Sequence, residues 1–316
     1  MYGHYSVRYF CALFGKSRQA WYEQCSQSEK LQLSNTIVLK LVEEIRTQLP
    51  RAGVPQLCQM LQEPFKQHGI KMGRDGLYEL LGTHGYLIRY RRRKPYTTDS
   101  NHPYKKYPNL IKDMLLTHPG QLWVSDITYL RHSQGFCYFS IITDAYSRKI
   151  VGYKLHPTLH SEGAIDALIM AATTSKRGTQ LIHHSDRGVQ YCCNDYVQML
   201  EHYGINISMT ENGDPYENAI AERINGILKG EFLLAKTFGS YDEAVQAVDA
   251  AIDKYNHLRP HASCNYLTPA VAHEQNGILR KRWKNKSYNN ASVPNQNPTS
   301  DALPAACTLE MNDCRS

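Results

Sequence analysis

Three carboxylates stand where they could do chemistry. Asp126 falls inside the apolar run Leu122-Trp-Val-Ser-Asp-Ile-Thr-Tyr-Leu, Asp186 closes the run Leu181-Ile-His-His-Ser, and Glu222 lies in a helical pattern that starts near Tyr216. An unpaired buried charge is costly, so two strand acids and a helix acid in one acidic stretch require a compensating cation. Mg²⁺ is the economical candidate, because it is hard, takes carboxylate oxygens and keeps positions for water and phosphate; Mn²⁺ suits the same oxygens. On a helical wheel, Asn218, Asn225, Gly226 and Lys229 share the side of Glu222, while Ile220, Ile224, Ile227 and Leu228 lie opposite. Glu222 is therefore expected to face away from the core, beside a glycine that permits close backbone approach and a lysine suited to phosphate. An ordinary solvated polar face would give the same wheel.

These acids need a sheet and a helix to hold them. The β-rich runs 122–130, 137–144 and 150–155, separated by turn residues, predict an antiparallel meander. A helix at 161–175, a strand at 180–186, a helix at 194–203, a strand at 205–210 and helices at 216–235 and 241–257 follow, which makes an α/β core. His183 and His184 alternate faces in the strand before Asp186, so one is expected near the acids and the other in the core. Glu231 falls on the apolar side of its helix, where either a pairing with a buried cation or the helix's exit from the core is expected, a structural role ahead of a catalytic one.

The front of the chain reads as all helical. A short helix from Val7 ends at Gly15, Ser17 caps a second at 18–23, and the apolar spacing Val38, Leu41, Val42, Ile45, Leu49 predicts another at 37–49. Two more are expected at 54–65 and 74–81. Helix, glycine turn, helix is the outline of a helix-turn-helix, although a plain helical hairpin looks the same. Arg91, Arg92, Arg93 and Lys94 then form a cationic run, expected either as a solvated face or as an arm on phosphates.

Charge divides along the chain in the same way. Lys and Arg outnumber Asp and Glu by 18 to 9 over residues 1–118, trail them by 12 to 17 over 119–277, and exceed them by 6 to 3 over 278–316. Basic flanks around an acidic middle make nucleic acid the first partner to expect. Residues 95–109 lack periodicity and hold three prolines, which reads as a linker, and the Asn/Ser/Pro-rich end is expected to be disordered. The domains so delimited are 1–94, a linker at 95–118, a core at 119–277 and a tail at 278–316. Nine scattered cysteines without a CxxC pair speak against a disulfide framework or a thiolate zinc site, and the absence of a membrane-length apolar run or a signal pattern points to the cytoplasm.

Four motifs in order carry a family resemblance. Trp123-Val-Ser-Asp126-Ile-Thr-Tyr129, His184-Ser-Asp186-Arg-Gly-Val-Gln-Tyr191, Glu217-Asn-Ala-Ile-Ala-Glu222 through Leu228-Lys-Gly-Glu231, and Tyr255-Asn-His-Leu-Arg-Pro-His261, with 35 residues between Asp186 and Glu222, resemble the DDE transposases of the IS3 type. The front half is similar to that family's helix-turn-helix region, most of all at 70–81. Where the family usually has Asp-Asn and Glu-Ser, this chain has Glu217-Asn218 and Glu222-Arg223. The resemblance implies an RNase H-like, integrase-type core with a mixed five-stranded sheet and flanking helices, preceded by an all-α helix-turn-helix region. It also implies that Asp126, Asp186 and Glu222 hold two Mg²⁺ ions, that water attacks at the element ends, and that the released 3′-OH attacks another phosphodiester. Ser125, Ser185 and Tyr129 then need no nucleophilic role and are expected in strand and packing positions. Arg91–Lys94, Asn218 and Lys229 are the expected DNA contacts.

The partners so implied are terminal-repeat and target DNA, a second copy of the chain on DNA, and the first-frame product of a two-frame element of which this chain resembles the second; the expected location is the bacterial nucleoid. Two other functions fit the same residues: a non-catalytic DNA-binding regulator on an RNase H-like scaffold, and a metal-dependent nuclease that cuts without joining.

Overall fold

The computed structural model describes residues 6–88, 102–112, 114–174, 180–211 and 218–279. The cationic run Arg91–Lys94 and the basic tail from residue 280 lie outside these.

The front is helical, as expected, with different boundaries. α1 (Val7–Leu13) turns at Gly15, which takes φ 61°, into α2 (Arg18–Gln48), whose Ser17 cap accepts from Ala20 N at 3.0 Å. The two helices expected at 18–23 and 37–49 are one helix of 31 residues. Residues 24–36 carry no core-facing apolar periodicity, but they also contain no glycine or proline, so the backbone continues through them with its side chains exposed. α3 (Val54–Met60), α4 (Gln62–Gln67) and α5 (Arg74–Thr83) fold back on the second half of α2. Val38, Val42, Leu57, Leu61, Leu77 and Leu81 make their shared core.

The second half is built on β1 (Leu122–His132), β2 (Gly135–Asp144) and β3 (Ile150–His156), an antiparallel meander, followed by α6 (Glu162–Thr174), β4 (Ile182–Ser185), α7 (Val189–Cys192), α8 (Asn194–His202), β5 (Asn206–Met209), α9 (Ala219–Gly230), β6 (Thr237–Phe238), α10 (Tyr241–His257) and α11 (Pro269–Ala272). Strand order is β3-β2-β1-β4-β5, with β4 parallel to β1 and β5 parallel to β4. This is the mixed RNase H-like sheet. A sixth strand adds to the five expected: β6, two residues long, pairs in parallel with Arg131 and His132 at the far end of β1.

Side-chain alternation divides the core between the two sheet faces. Leu130, Cys137, Phe139 and Ile141 pack with Ile224, Ile227 and Leu228 of α9 and Val248 and Ile252 of α10. Trp123, Ile142 and Val151 pack on the other face with Ala164, Leu168 and Ala171 of α6 and with Tyr196 and Leu200 of α8. A Cβ on Gly152 would stand 2.2 Å from the Ala167 carbonyl oxygen, so only glycine lets α6 lie this close to β3. Ser240 caps α10, accepting from Glu243 N at 3.1 Å, while the Glu243 carboxylate accepts from Gly239 N, one residue ahead of the cap, at 2.6 Å, and the two bonds fix where α10 begins.

The segment expected as a linker is bound along the β5 edge where it is described. Leu110 N donates to Ser208 Oγ at 2.9 Å, Met209 N donates to the Pro108 carbonyl at 3.3 Å, and Tyr107 packs against the α6/α8 face. No helix among the described residues is long and apolar enough to cross a membrane.

Candidate active site

The pairing of β1 and β4 brings the two aspartates together. Leu122, Trp123 and Val124 are in register with Ile182, His183 and His184; the pairing stops there, and two residues further on each strand stand Asp126 and Asp186. β4 ends at Ser185, so Asp186 sits on the turn beyond it, where its Oδ1 accepts from Gly188 N at 3.0 Å. Ligand sites of parallel sheets form at such carboxyl ends because the strands separate there and expose what they carry.

α9 crosses this opening and is fastened to β1 by two amides. Asn218, its N-cap residue, donates from Nδ2 to the Ser125 carbonyl at 3.1 Å, and Asn225 donates from Nδ2 to Asp126 Oδ2 at 2.6 Å. Asn218, Glu222 and Asn225 are spaced i, i+4, i+7 and share one helix face. Glu222 is exposed between the two amides, on the face that meets β1. Glu222 is turned away from the core, as expected, and the face it shares is not an ordinary solvated one, because Asn218 and Asn225 beside it are only 7% and 6% exposed. With its Nδ2 committed to the Ser125 carbonyl, Asn218 fastens the start of α9 to β1. Asn225 went unassigned from the sequence although the wheel placed it beside Glu222; what identifies it is the strand it faces. Among the described residues, Oδ1 of each asparagine is buried without a hydrogen-bond partner.

Electrostatically the site is unsatisfied. Burial first, then the charge of Asp186 and more weakly that of Glu222, push the Asp126 carboxyl up to about 7, against the opposing bonds from Asn225 and the backbone. Burial also raises Glu222. Among the described residues, no three His, Cys, Asp or Glu side chains are drawn close enough to hold one ion as they stand. Asp126 and Asp186 are the pair brought together, and an all-carboxylate donor set that repels itself fits a hard divalent cation.

Behind the carboxylates lies a buried polar and aromatic layer. Ser125 Oγ is 2.9 Å from Tyr191 Oη, Tyr196 Oη is 2.9 Å from His183 Nε2, and the rings of Tyr191 and Tyr196 meet edge-on at 5.4 Å. Burial holds His183 neutral, with its pKa lowered to about 3, and raises both tyrosines. His184 is buried as well, on the strand face of Asp186 and 2.8 Å from Ser208 Oγ. Ser125 and Ser185 are buried packing residues, as expected. Tyr129 is not: it is 47% exposed, on the stretch of β1 beyond its pairing with β4.

The last motif is a latch. Asn256 donates to the Ile150 carbonyl and accepts from Ile150 N, both at 3.0 Å, and Tyr255 Oη donates to the Arg148 carbonyl at 2.9 Å. Arg259 donates Nε and Nη2 to the two oxygens of Glu231 at 2.7 and 2.9 Å, with both residues buried, which is the structural pairing expected for Glu231. Lys229, on the last turn of α9, holds Nζ 4.6 Å above the Tyr129 ring.

Comparison with known proteins bears on the same regions. Two family models described as integrase core domain match residues 117–215 and 203–269. The chain is 34% identical over 270 residues to the insertion element IS600 uncharacterized 31 kDa protein of Shigella sonnei, covering 84% of this chain and 97% of that protein. It is 29% identical over 286 residues to transposase InsF of insertion sequence IS3A of Escherichia coli K12, covering 86% and 95%. The solved HTLV-2 integrase catalytic core domain in complex with magnesium is 18% identical, covering 49% of this chain and 97% of that one at a TM-score of 0.40.

Proposed function

The chain belongs to the IS3-type transposases of insertion sequences, DDE polynucleotidyl transferases with an integrase core, and from that premise we propose that Asp126, Asp186 and Glu222 are its catalytic and metal-holding residues. The observation that carries the reading is the meeting of Asp126 and Asp186 at the separating ends of β1 and β4, with α9 fastened across them by Asn218 and Asn225 so that Glu222 stands on the same helix face. Bound divalent ions, Mg²⁺ or Mn²⁺ and two in number, would activate the attacking oxygen and offset charge on the leaving 3′ oxygen. The chain's own residues supply the rest. Asn225 orients Asp126 through Oδ2. Asn218 sets the start of α9 against β1. The Oγ atoms of Ser125 and Ser185 are engaged and buried, and the family resemblance makes water and then a DNA 3′-OH the nucleophiles, with no covalent protein intermediate.

The substrates are the terminal repeats of the element and a target duplex, engaged by the helical region (residues 1–94), by Arg91, Arg92, Arg93 and Lys94, and by Lys229. Residues 95–118 link that region to the core of 119–277, and 278–316 form a basic tail. A second copy on DNA and a first-frame product of the element complete the assembly in the nucleoid.

Labelled terminal-repeat DNA and Mg²⁺ test this. Asp126→Asn, Asp186→Asn and Glu222→Gln should each abolish nicking while DNA retention in gel shift stays near wild type. Nicking that survives any one substitution removes that residue from the site. Retention without nicking by the wild type would favour the non-catalytic regulator, and nicking without joined products would favour a simple nuclease. Replacing the four cations at 91–94 with alanine should lower the slope of log affinity against log salt by about 0.9 for each phosphate no longer neutralised.

A further inference from the structure

Beyond the carboxylates, β1 and β2 carry an exposed group of rings and cations with no part in the core. Tyr129 and Phe136 are 47% and 44% exposed and meet edge-on with centroids 5.4 Å apart. The register places Tyr129 opposite Tyr138 and Arg131 opposite Phe136, so the two exposed rings are diagonal neighbours on one sheet face. Arg131 lies 5.0 Å from the Phe136 centroid, and Lys229 reaches Tyr129 from α9. The elements that bring these residues together are those that carry Asp126 and Glu222. Tyr129 is three residues along β1 from Asp126, about 10 Å at 3.3–3.4 Å per residue, so its side chain leaves the other face of the strand. Beyond Val124 the pairing with β4 has ended, and Lys229, two helical turns beyond Glu222, reaches the ring from α9.

Resting on the reading of this chain as a DNA strand-transfer enzyme, we propose that Tyr129 is a stacking platform for an unpaired base of the terminal strand next to the phosphodiester held at Asp126, with Lys229 and Arg131 on the adjoining phosphates. Rings beside cations are what single-stranded nucleic acid requires, since every base has a face to stack and every linkage a charge to meet. A stacked strand advances about 3.4 Å per nucleotide, so the 10 Å between Asp126 and Tyr129 spans about three nucleotides, within reach of a short frayed end. In the DNA-free chain the Lys229 ammonium covers the tyrosine ring; an arriving base displaces it outward, where its flexible stem delivers it to phosphate. Stacking of this kind is neutral to sequence, and the platform therefore works without reading base edges.

The test compares two metal-free binding titrations of the full chain, one with a blunt terminal-repeat duplex and one with the same duplex carrying a three-nucleotide unpaired 3′ tail with 2-aminopurine. Wild type should prefer the tailed duplex and quench its fluorescence on binding. Tyr129→Ala should reduce that preference about 5- to 150-fold, the range for one stacked base, and abolish quenching, whereas Tyr129→Phe should keep both. An unchanged preference and quench in Tyr129→Ala would overturn the proposal, as would equal losses on both duplexes. Thermal melting verifies that the variants fold, and Phe136→Ala, expected to weaken the same preference by a smaller factor, gives a second route should Tyr129→Ala melt early. Cleavage of the blunt duplex by wild type with Mg²⁺ separates the two readings: its failure alongside an intact tail preference sinks the catalytic assignment, and the reverse sinks the stacking platform.

Discussion

The opening at β1 and α9 and the latch at residues 255–261 both depend on polar side chains in recognisable motifs, yet they treat charge in opposite ways. In the latch, Glu231 and Arg259 are buried against each other through two short bonds, each charge meeting its counter-charge. In the opening, Asp126 meets Asp186 and is steadied by a neutral amide, so its carboxyl rises to about 7. A fold that pairs its buried charges in one place and leaves like charges facing in another keeps the second place for a ligand.

The largest effect expected from breaking this contrast is on stability at the latch. Glu231→Gln or Arg259→Ala strands a buried charge and should cost about 3–5 kcal/mol, read from the urea midpoint, while Glu231→Met with Arg259→Met should recover most of the loss. Asp126→Asn should do the opposite, melting at or above wild type in metal-free buffer, because it removes one of two repelling carboxylates. If the site variant were the less stable of the two, the assignment of the two regions would be reversed.

A smaller effect is expected at Asn225. Asn225→Ala removes the donor to Asp126 Oδ2 and should lower nicking about 10- to 100-fold, the range for residues that orient a metal ligand, with DNA retention unchanged. Asn225→Asp should be worse, since it adds a further acid to the opening. Rates within twofold of wild type in both variants would leave Asn225 as packing alone.

The smallest effect sharpens the comparison through one histidine in each region. Burial lowers His183, beneath the opening, to about 3, and burial together with Arg259, Arg148 and Arg223 lowers His261, in the latch, to about 2, both from an ordinary 6.5. At these two histidines the unfolded chain binds more protons below pH 6.5, so their contribution to stability falls as pH drops through that value. Asp126, raised to about 7, takes up its proton in the folded chain and opposes them, so the loss is read in an Asp126→Asn background. Between pH 7.5 and 5.5 each histidine should remove about 1.4 kcal/mol, and His183→Gln or His261→Gln should each reduce the combined loss by about half. A stability difference indifferent to both substitutions would show that other groups set the acid limit.

Much of the fold was legible because its signals are local. The meander, α6, α8 and α10 follow from apolar spacing within single segments, and the order of the three acids was readable because strand and helix patterns surround each one. The merging of two expected helices into α2 was hidden, since an exposed stretch of helix carries no apolar period. β6 was hidden too, because two residues become a strand only when the end of β1 offers them a ladder.

The chain by itself determined which residue types were available: three carboxylates in strand and helix settings, a basic front, and motifs whose order and spacing identify the family. Those are properties of composition and of periods two and 3.6, which need no partner to exist. Tertiary structure decided what each polar group faces. Asn218 and Asn225 look like solvated positions on a wheel and become the fastenings of α9 because β1 arrives to take their amides. Glu231 finds Arg259 across 28 residues, and Tyr129 is left half-exposed where β1 runs on past its pairing with β4. Burial and pairing depend on surfaces brought together from distant parts of the chain, so the character of a polar residue is settled only once its neighbours are in place.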